Sequence, residues 1–223
     1  MRGCFVTGTD TSVGKTLLCA ALLAAAPAGV HYAKPVQTGS PPDDDRATLL
    51  ELAGVAAARV PDLGLKLPVP VSPHHAAQLA GVRLEAAALA ARVTAWRPAP
   101  QAWLVEGAGG LLAPLNARET ALDLARALGL PVLVAVRVRL GAINHTLLTL
   151  RALEQAGLAC AGVVLVGDDD PSLASALAAH APGRVLGRLP WLEPVTPAAV
   201  QAAGRALCAG SPALAAALAG GPP

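Results

Sequence analysis

Near the start of the chain, the apolar run Cys4-Phe5-Val6 gives way to Gly8-Thr9-Asp10-Thr11-Ser12-Val13-Gly14-Lys15-Thr16. A short strand, a glycine-rich turn and a helix beginning at Lys15 make a phosphate-binding loop. Few architectures can carry one, because the loop needs a strand behind it and a helix N-terminus in front of it. Its backbone N–H groups point inward at phosphate oxygens, and the helix N-terminus adds a partial positive charge. Lys15 can reach terminal phosphates, and the Thr16 hydroxyl can ligate Mg²⁺. Ser12, Val13, Gly14, Lys15, Thr16 and Leu17 are thus expected around a nucleotide. The spacing departs slightly from the general pattern, with five residues between Gly8 and Gly14 instead of four.

Downstream of the loop, strand and helix patterns alternate. Val30 to Lys34 reads as a strand, Ser40 to Asp44 as a polar turn and Ala47 to Ala58 as a helix. Prolines at 68, 70 and 73 keep Leu67 to Pro73 out of a central strand, so it reads as an extended connector. Helices follow at His74 to Ala80 and Leu84 to Trp96. Ala102 to Glu106 reads as a strand and Gly107 to Leu115 as a Gly/Pro loop. A helix over Glu119 to Leu128 precedes a buried strand from Pro131 to Val136. A helix from Ile143 to Ala156 ends at Gly157, followed by a strand at Ala161 to Val166. Ser172 to Ala179 is helical, Arg184 to Gly187 a short strand, and Pro197 to Ala217 a closing helical region. This order predicts an α/β, doubly wound and mostly parallel sheet with helices on both faces, and ligands at the carboxyl ends of the strands. Residues 1–223 read as a single domain, with Gly220-Gly221-Pro222-Pro223 expected to fray.

Composition narrows the partners. A chain of 223 residues suffices for one well-buried α/β domain. Its net charge of +2 gives no reason to expect nucleic acid or a membrane surface. No uncharged apolar run reaches the ~18 residues of a spanning helix. Cys4, Cys19, Cys160 and Cys208 form no C-x-x-C pair and read as small buried hydrophobes in a reducing, cytoplasmic setting. The histidines show no metal spacing, and none is assigned chemistry.

Charge placement narrows the site. The chain has three lysines, Lys15, Lys34 and Lys66, and otherwise uses arginine. A lysine retained against that preference suggests a need for a compact point charge. Glu106 closes the strand Trp103-Leu104-Val105, where an acid near Mg²⁺ is expected, and Gly107-Ala108-Gly109-Gly110 lets backbone approach a ligand. Mg²⁺ takes few protein oxygens alongside water and phosphate, so Thr16, Glu106 and one carboxylate of Asp43-Asp44-Asp45 would suffice.

Five segments carry a family resemblance: Val6 through Thr16, Lys34-Pro35-Val36-Gln37-Thr38-Gly39, Val105-Glu106-Gly107-Ala108-Gly109-Gly110-Leu111, Leu140-Gly141-Ala142-Ile143-Asn144-His145, and Leu189-Pro190-Trp191-Leu192. In this order the chain resembles the dethiobiotin synthetases, which have the phosphate-loop NTPase fold. The resemblance implies an ATP-dependent cyclo-ligase of biotin biosynthesis that joins CO₂ to 7,8-diaminopelargonate and closes a cyclic urea. It assigns catalysis to Lys34, Lys15 and Thr11, and Mg²⁺ to Thr16, Asp45 and Glu106, with Asp44 competing with Asp45. Thr11, Lys34 and Thr38 would hold the diamine or carbamate. Gly141, Ala142, Ile143 and Asn144 would hold the substrate's distal carboxylate across a homodimer interface; the same turn also reads as an ordinary helix start with Asn144 as cap. Gly107, Ala108, Gly109, Val166, Gly167, Pro190, Trp191 and Leu192 would complete the nucleotide site.

One departure bears on the base. Many members of the family carry an adenine-reading Asn after the strand that ends here in Val166-Gly167-Asp168, and this chain has no amide there. Backbone near Val166-Gly167 or the Pro190-Trp191-Leu192 loop is then expected to read the base, and CTP or another nucleoside triphosphate stays open beside ATP. A partition-type or division-site ATPase shares this fold, but such proteins place a second lysine early in the loop where this chain has Asp10.

Overall fold

The computed structural model describes residues 1–220; Gly221-Pro222-Pro223, most of the segment expected to fray, lies outside the described residues. The first half holds β1 (Gly3–Gly8), α1 (Lys15–Ala25), β2 (Val30–Ala33), β3 (Val36–Thr38), α2 (Asp45–Ala53), β4 (Leu65–Leu67), α3 (Pro73–Leu79), α4 (Ala86–Thr94) and β5 (Ala102–Gly110). The second half holds α5 (Ala121–Leu128), β6 (Val132–Arg137), α6 (Ala142–Gln155), β7 (Cys160–Val166), α7 (Pro171–His180), β8 (Val185–Leu189), α8 (Pro197–Gly210) and α9 (Pro212–Leu218).

Six strands form one sheet in the order β2-β5-β1-β6-β7-β8, every pair parallel. The predicted doubly wound parallel sheet is what the chain forms. Successive side chains of a strand face opposite sides, and here both sides are covered. Phe5, Val105, Val134 and Val163 point to a layer closed by α4, α5, α6 and α7. Val6, Leu104, Leu133 and Val164 point to a second layer closed by α1, α2, α8 and α9. That two-sided burial is why these strands read as continuous apolar runs. The chain steps to one side of β1 for β2 and β5 and to the other for β6, β7 and β8, so a crevice opens at the carboxyl ends beside β1.

Two contacts fix α1, the helix that begins at the phosphate loop. At its far end Arg59 donates to the carbonyls of Leu23 (3.2 Å), Pro27 (3.0 Å) and Val30 (2.9 Å), joining the helix terminus to the start of β2. A cation there also suits the helix dipole. Midway, α8 comes so close that a Cβ at Gly204 would overlap the Ala21 carbonyl.

Several boundaries differ from the sequence reading. The strand expected to end at Glu106 runs on to Gly110, because Gly8 of β1 pairs with Gly110 across a bulge; Gly107 to Gly110 is therefore strand, not loop. Thr38 pairs with Leu67, so Val36–Thr38 and Leu65–Leu67 make a small parallel sheet, and the proline connector starts only at Pro68. The helix expected from Ala47 begins at Asp45, since Asp44 caps it by accepting from Arg46 and Ala47 N–H, and Gly54 in the left-handed region ends it. The closing helical region is two helices, because Pro212 cannot continue the ladder and Ser211 caps a new start.

Candidate active site

The phosphate loop spans the turn from β1 to α1. Gly14 is the N-cap of α1 with φ 88°, a conformation that suits glycine. A Cβ there would also stand 2.8 Å from Val166 Cγ1. Lys15 folds back over the loop and donates to the Asp10 carbonyl at 3.1 Å. Burial pulls its ammonium below the ordinary lysine range, against the attraction of Glu106. Asp10 accepts from the Thr11 N–H (2.7 Å) and pairs with Arg139 (2.6 Å), and these contacts hold its carboxyl below the usual range.

Behind the loop, the side chains of Thr16, Tyr32, Lys34, Asp45 and Glu106 converge. Glu106, fully buried on β5, accepts through Oε1 from Thr16 Oγ1 (2.9 Å) and Lys34 Nζ (2.7 Å). Its Oε2 accepts from Tyr32 Oη at 2.9 Å. Asp45, at the start of α2, has its carboxylate 3.3 Å from the Thr16 hydroxyl oxygen and pairs with Lys34. Burial acts to lower the pKa of Lys34, but the Glu106 and Asp45 carboxylates outweigh it and hold the ammonium above its ordinary value. The two competing aspartates lie in different surroundings. Asp45 reaches the cluster, whereas Asp44 caps α2 and pairs with Lys66 at 2.9 Å.

A cavity of about 430 Å³ lies over this cluster. Thr11, Ser12, Gly14, Lys15, Thr16, Leu17, Lys34, Thr38, Asp45, Glu106, Ala108 and Gly109 line it, as the sequence led one to expect. Others stand back from it. Val13 is buried in the core beneath the loop, and Gly107 packs against the Phe5 ring. Gly141, Ala142, Ile143 and Asn144 sit at the start of α6, outside the cavity walls of this one chain. Gly141, not Asn144, is the N-cap there, and no side chain caps that helix.

Sequence reasoning passed over Gln37, which lines the cavity. Its Nε2 donates to the Asp43 carbonyl (3.0 Å) and its Oε1 accepts from Asp45 N–H (3.2 Å), so it sets where α2 begins. Its place inside Lys34-Pro35-Val36-Gln37-Thr38-Gly39 was the available signal.

At the far end, the Val166-Gly167 backbone is already engaged. The Val166 carbonyl accepts from Val138 N–H (2.9 Å), Gly167 N–H donates to Leu189 (3.0 Å), and the Gly167 carbonyl accepts from Arg188 (2.9 Å). The Arg137 guanidinium lies over the half-exposed Trp191 ring, its Cζ 5.2 Å from the ring centroid, and Arg137 also reaches the Ser12 carbonyl at 3.4 Å.

A strand, phosphate loop and helix at the crevice of a parallel α/β sheet define a phosphate-loop nucleotide-binding protein. Residues 2–199 match the family model described as an AAA domain. The fold is that of a ParA family ATPase from Chlorobium tepidum (TM-score 0.56, 12% identity, 98% of each chain). It is also similar to a chain in the structure of the MinC:MinD cell division protein complex of Aquifex aeolicus (TM-score 0.57, 14% identity, 98% of this chain and 93% of the other).

Sequence relatives are more specific. The chain is 49% identical over 208 residues to the ATP-dependent dethiobiotin synthetase BioD of Anaeromyxobacter dehalogenans, covering 86% of this chain and 91% of the relative. Against the protein of that name from Bradyrhizobium diazoefficiens the identity is 40% over 199 residues, 89% of this chain and 91% of the relative. The chain belongs to the dethiobiotin synthetase family.

Proposed function

We propose that this site joins CO₂ to 7,8-diaminopelargonate and closes the cyclic urea of dethiobiotin, splitting ATP to ADP and phosphate. The observation that carries the reading is the convergence of Lys34, Asp45, Glu106 and Thr16 beside a phosphate loop, in a chain of this family.

One amine of the substrate attacks CO₂ and loses a proton, giving a carbamate. A carbamate oxygen attacks the γ-phosphorus, and the bond to the β–γ bridging oxygen breaks to release ADP. The second amine then attacks the carbamoyl carbon and loses its proton, and the C–O bond to phosphate breaks. Lys15 and the loop N–H groups hold the phosphates, since phosphoryl transfer rests on positioning and electrostatics. Lys34, a buried permanent cation, faces the carbamate and the charge that develops on it, with Thr11 and Thr38 as hydrogen-bonding neighbours.

The hydroxyl of Thr16 and the carboxylates of Asp45 and Glu106 are hard oxygens drawn to one point, a donor set that fits Mg²⁺. Bound there, Mg²⁺ would offset negative charge on the phosphates. Water and phosphate oxygens would complete the shell, so these few protein donors suffice. Base recognition is left to the Pro190-Trp191-Leu192 loop or to the second lone pairs of the Val166 and Gly167 carbonyls. That leaves the base less constrained than an amide would, and CTP competes with ATP in this reading.

The substrate's distal carboxylate binds at Gly141 to Asn144 of a second copy. Leu112, Leu140, Ile143 and Leu148 expose large apolar side chains around the start of α6, which supports a covered surface there. No helix among the described residues is long and apolar enough to cross a membrane. The four cysteines are free thiols, which fits the reducing cytoplasm.

The test is incubation with 7,8-diaminopelargonate, labelled bicarbonate, Mg²⁺ and either ATP or CTP. Acid-stable label and nucleoside diphosphate should form in equal amounts and only with the diamine present. Nucleotide hydrolysis without fixed label would overturn the reading, and a strong preference for ATP in kcat/KM would remove CTP from it.

A further inference from the structure

Tyr32 is the chain's only tyrosine, and it is almost wholly buried beneath the active site. On β2 it stands in register with Leu104 of β5, and Glu106 lies two residues beyond on the same face. That register lets the phenol reach Glu106 from below, from the core side away from the cavity. The hydroxyl donates to Oε2 at 2.9 Å, while Thr16 and Lys34 both approach Oε1.

We propose that Tyr32 is a positioning residue for the metal site: by holding Oε2, it fixes the plane of the Glu106 carboxylate and presents Oε1 toward Thr16, Asp45 and the phosphate loop. The terminal torsion of a glutamate is soft and roughly two-fold, so a carboxylate without this anchor can turn and exchange its oxygens. Cys19 is buried near the Glu106 carboxylate, and a thiol is at most a weak donor. Among the described side chains, Tyr32 is the one oxygen or nitrogen donor to Oε2. Partners of this kind orient ligating groups and tune how tightly they hold a metal.

The inference rests on Glu106 as a metal ligand, and its test separates the two. Mn²⁺ binding to the ADP-loaded protein is followed by electron paramagnetic resonance, without turnover, in wild type, Tyr32→Phe and Glu106→Gln. Thermal unfolding of each variant reports the fold. Tyr32→Phe removes one oxygen and keeps the ring. Its Mn²⁺ affinity is expected to fall about tenfold. The Mg²⁺ concentration for half-maximal activity should rise by a similar factor, with KM for the diamine unchanged at saturating Mg²⁺. Wild-type Mn²⁺ affinity in folded Tyr32→Phe, beside a weakened Glu106→Gln, would overturn the role of Tyr32 and leave Glu106 as ligand. Unchanged affinity in Glu106→Gln would overturn both.

Discussion

Replacing Lys34 with Met keeps the side chain's length and bulk and deletes its charge. In the folded protein that strands Glu106, whose side chain has no solvent exposure, and leaves Asp45, 29% exposed, without its cation. Removing one partner of a buried ion pair costs about 3–5 kcal/mol, because the other charge stays buried and unpaired. Asp45 contributes less, since water reaches it. At roughly 2–4 °C per kcal/mol for a chain of this size, the melting temperature should drop by about 6–20 °C. Neutralising the stranded acid should reverse much of this. The double variant Lys34→Met/Glu106→Gln is expected to be more stable than Lys34→Met alone by about 1–3 kcal/mol. Urea unfolding followed by circular dichroism, without metal or nucleotide, measures all four corners of the cycle. If Lys34→Met stays within about 0.5 kcal/mol of wild type, or the double variant is no better than the single, the buried network does not hold the site together.

Other parts of the molecule give sharp expectations. Asn144→Ala should raise KM for the diamine more than KM for the nucleotide in steady-state assays; equal effects would remove the start of α6 from substrate binding. Gly204→Ala should destabilise by about 1–3 kcal/mol in chemical unfolding, since its methyl would overlap the Ala21 carbonyl and α1 has no room to retreat. Asp44 is held below its ordinary 3.8 first by Lys66 and also by N–H groups of α2. Its contribution to stability is therefore present above pH 3.8 and lost as pH falls through its lower folded value. Asp44→Asn should flatten the acid limb of the stability profile, and an unchanged limb would contradict the pairing of this carboxylate with Lys66.

The strand–loop–helix order was legible because each signal was local. Gly14 and Lys15 mark the loop, and the apolar runs through Val105, Val134 and Val164 mark strands buried on both faces. What escaped depended on distant partners. Glycines from Gly107 to Gly110 look like a loop until Gly8 pairs with Gly110. Val36 to Thr38 looks like a tail of β2 until Leu65 to Leu67 folds beside it. In the site, Lys34, Glu106 and Thr16 were readable as residue types in suggestive places. The choice between Asp44 and Asp45 was not, because it turns on where α2 starts, and Gln37 sets that from another segment. Tyr32 gave no signal at all, since a tyrosine in a strand is ordinarily core.

The two attachments of α1 bear on how the enzyme meets its substrates. One end of this helix carries the phosphate loop, and Arg59 ties the other end to the strand that leads into Lys34. Gly204 seats its middle against α8. The loop and the lysine thus belong to a single rigid frame, set during folding. Binding a nucleotide then forfeits little conformational entropy on the phosphate side. Any adaptation to the rest of the substrates is then left to exposed segments outside this frame, such as the start of α6 and the loop around Trp191.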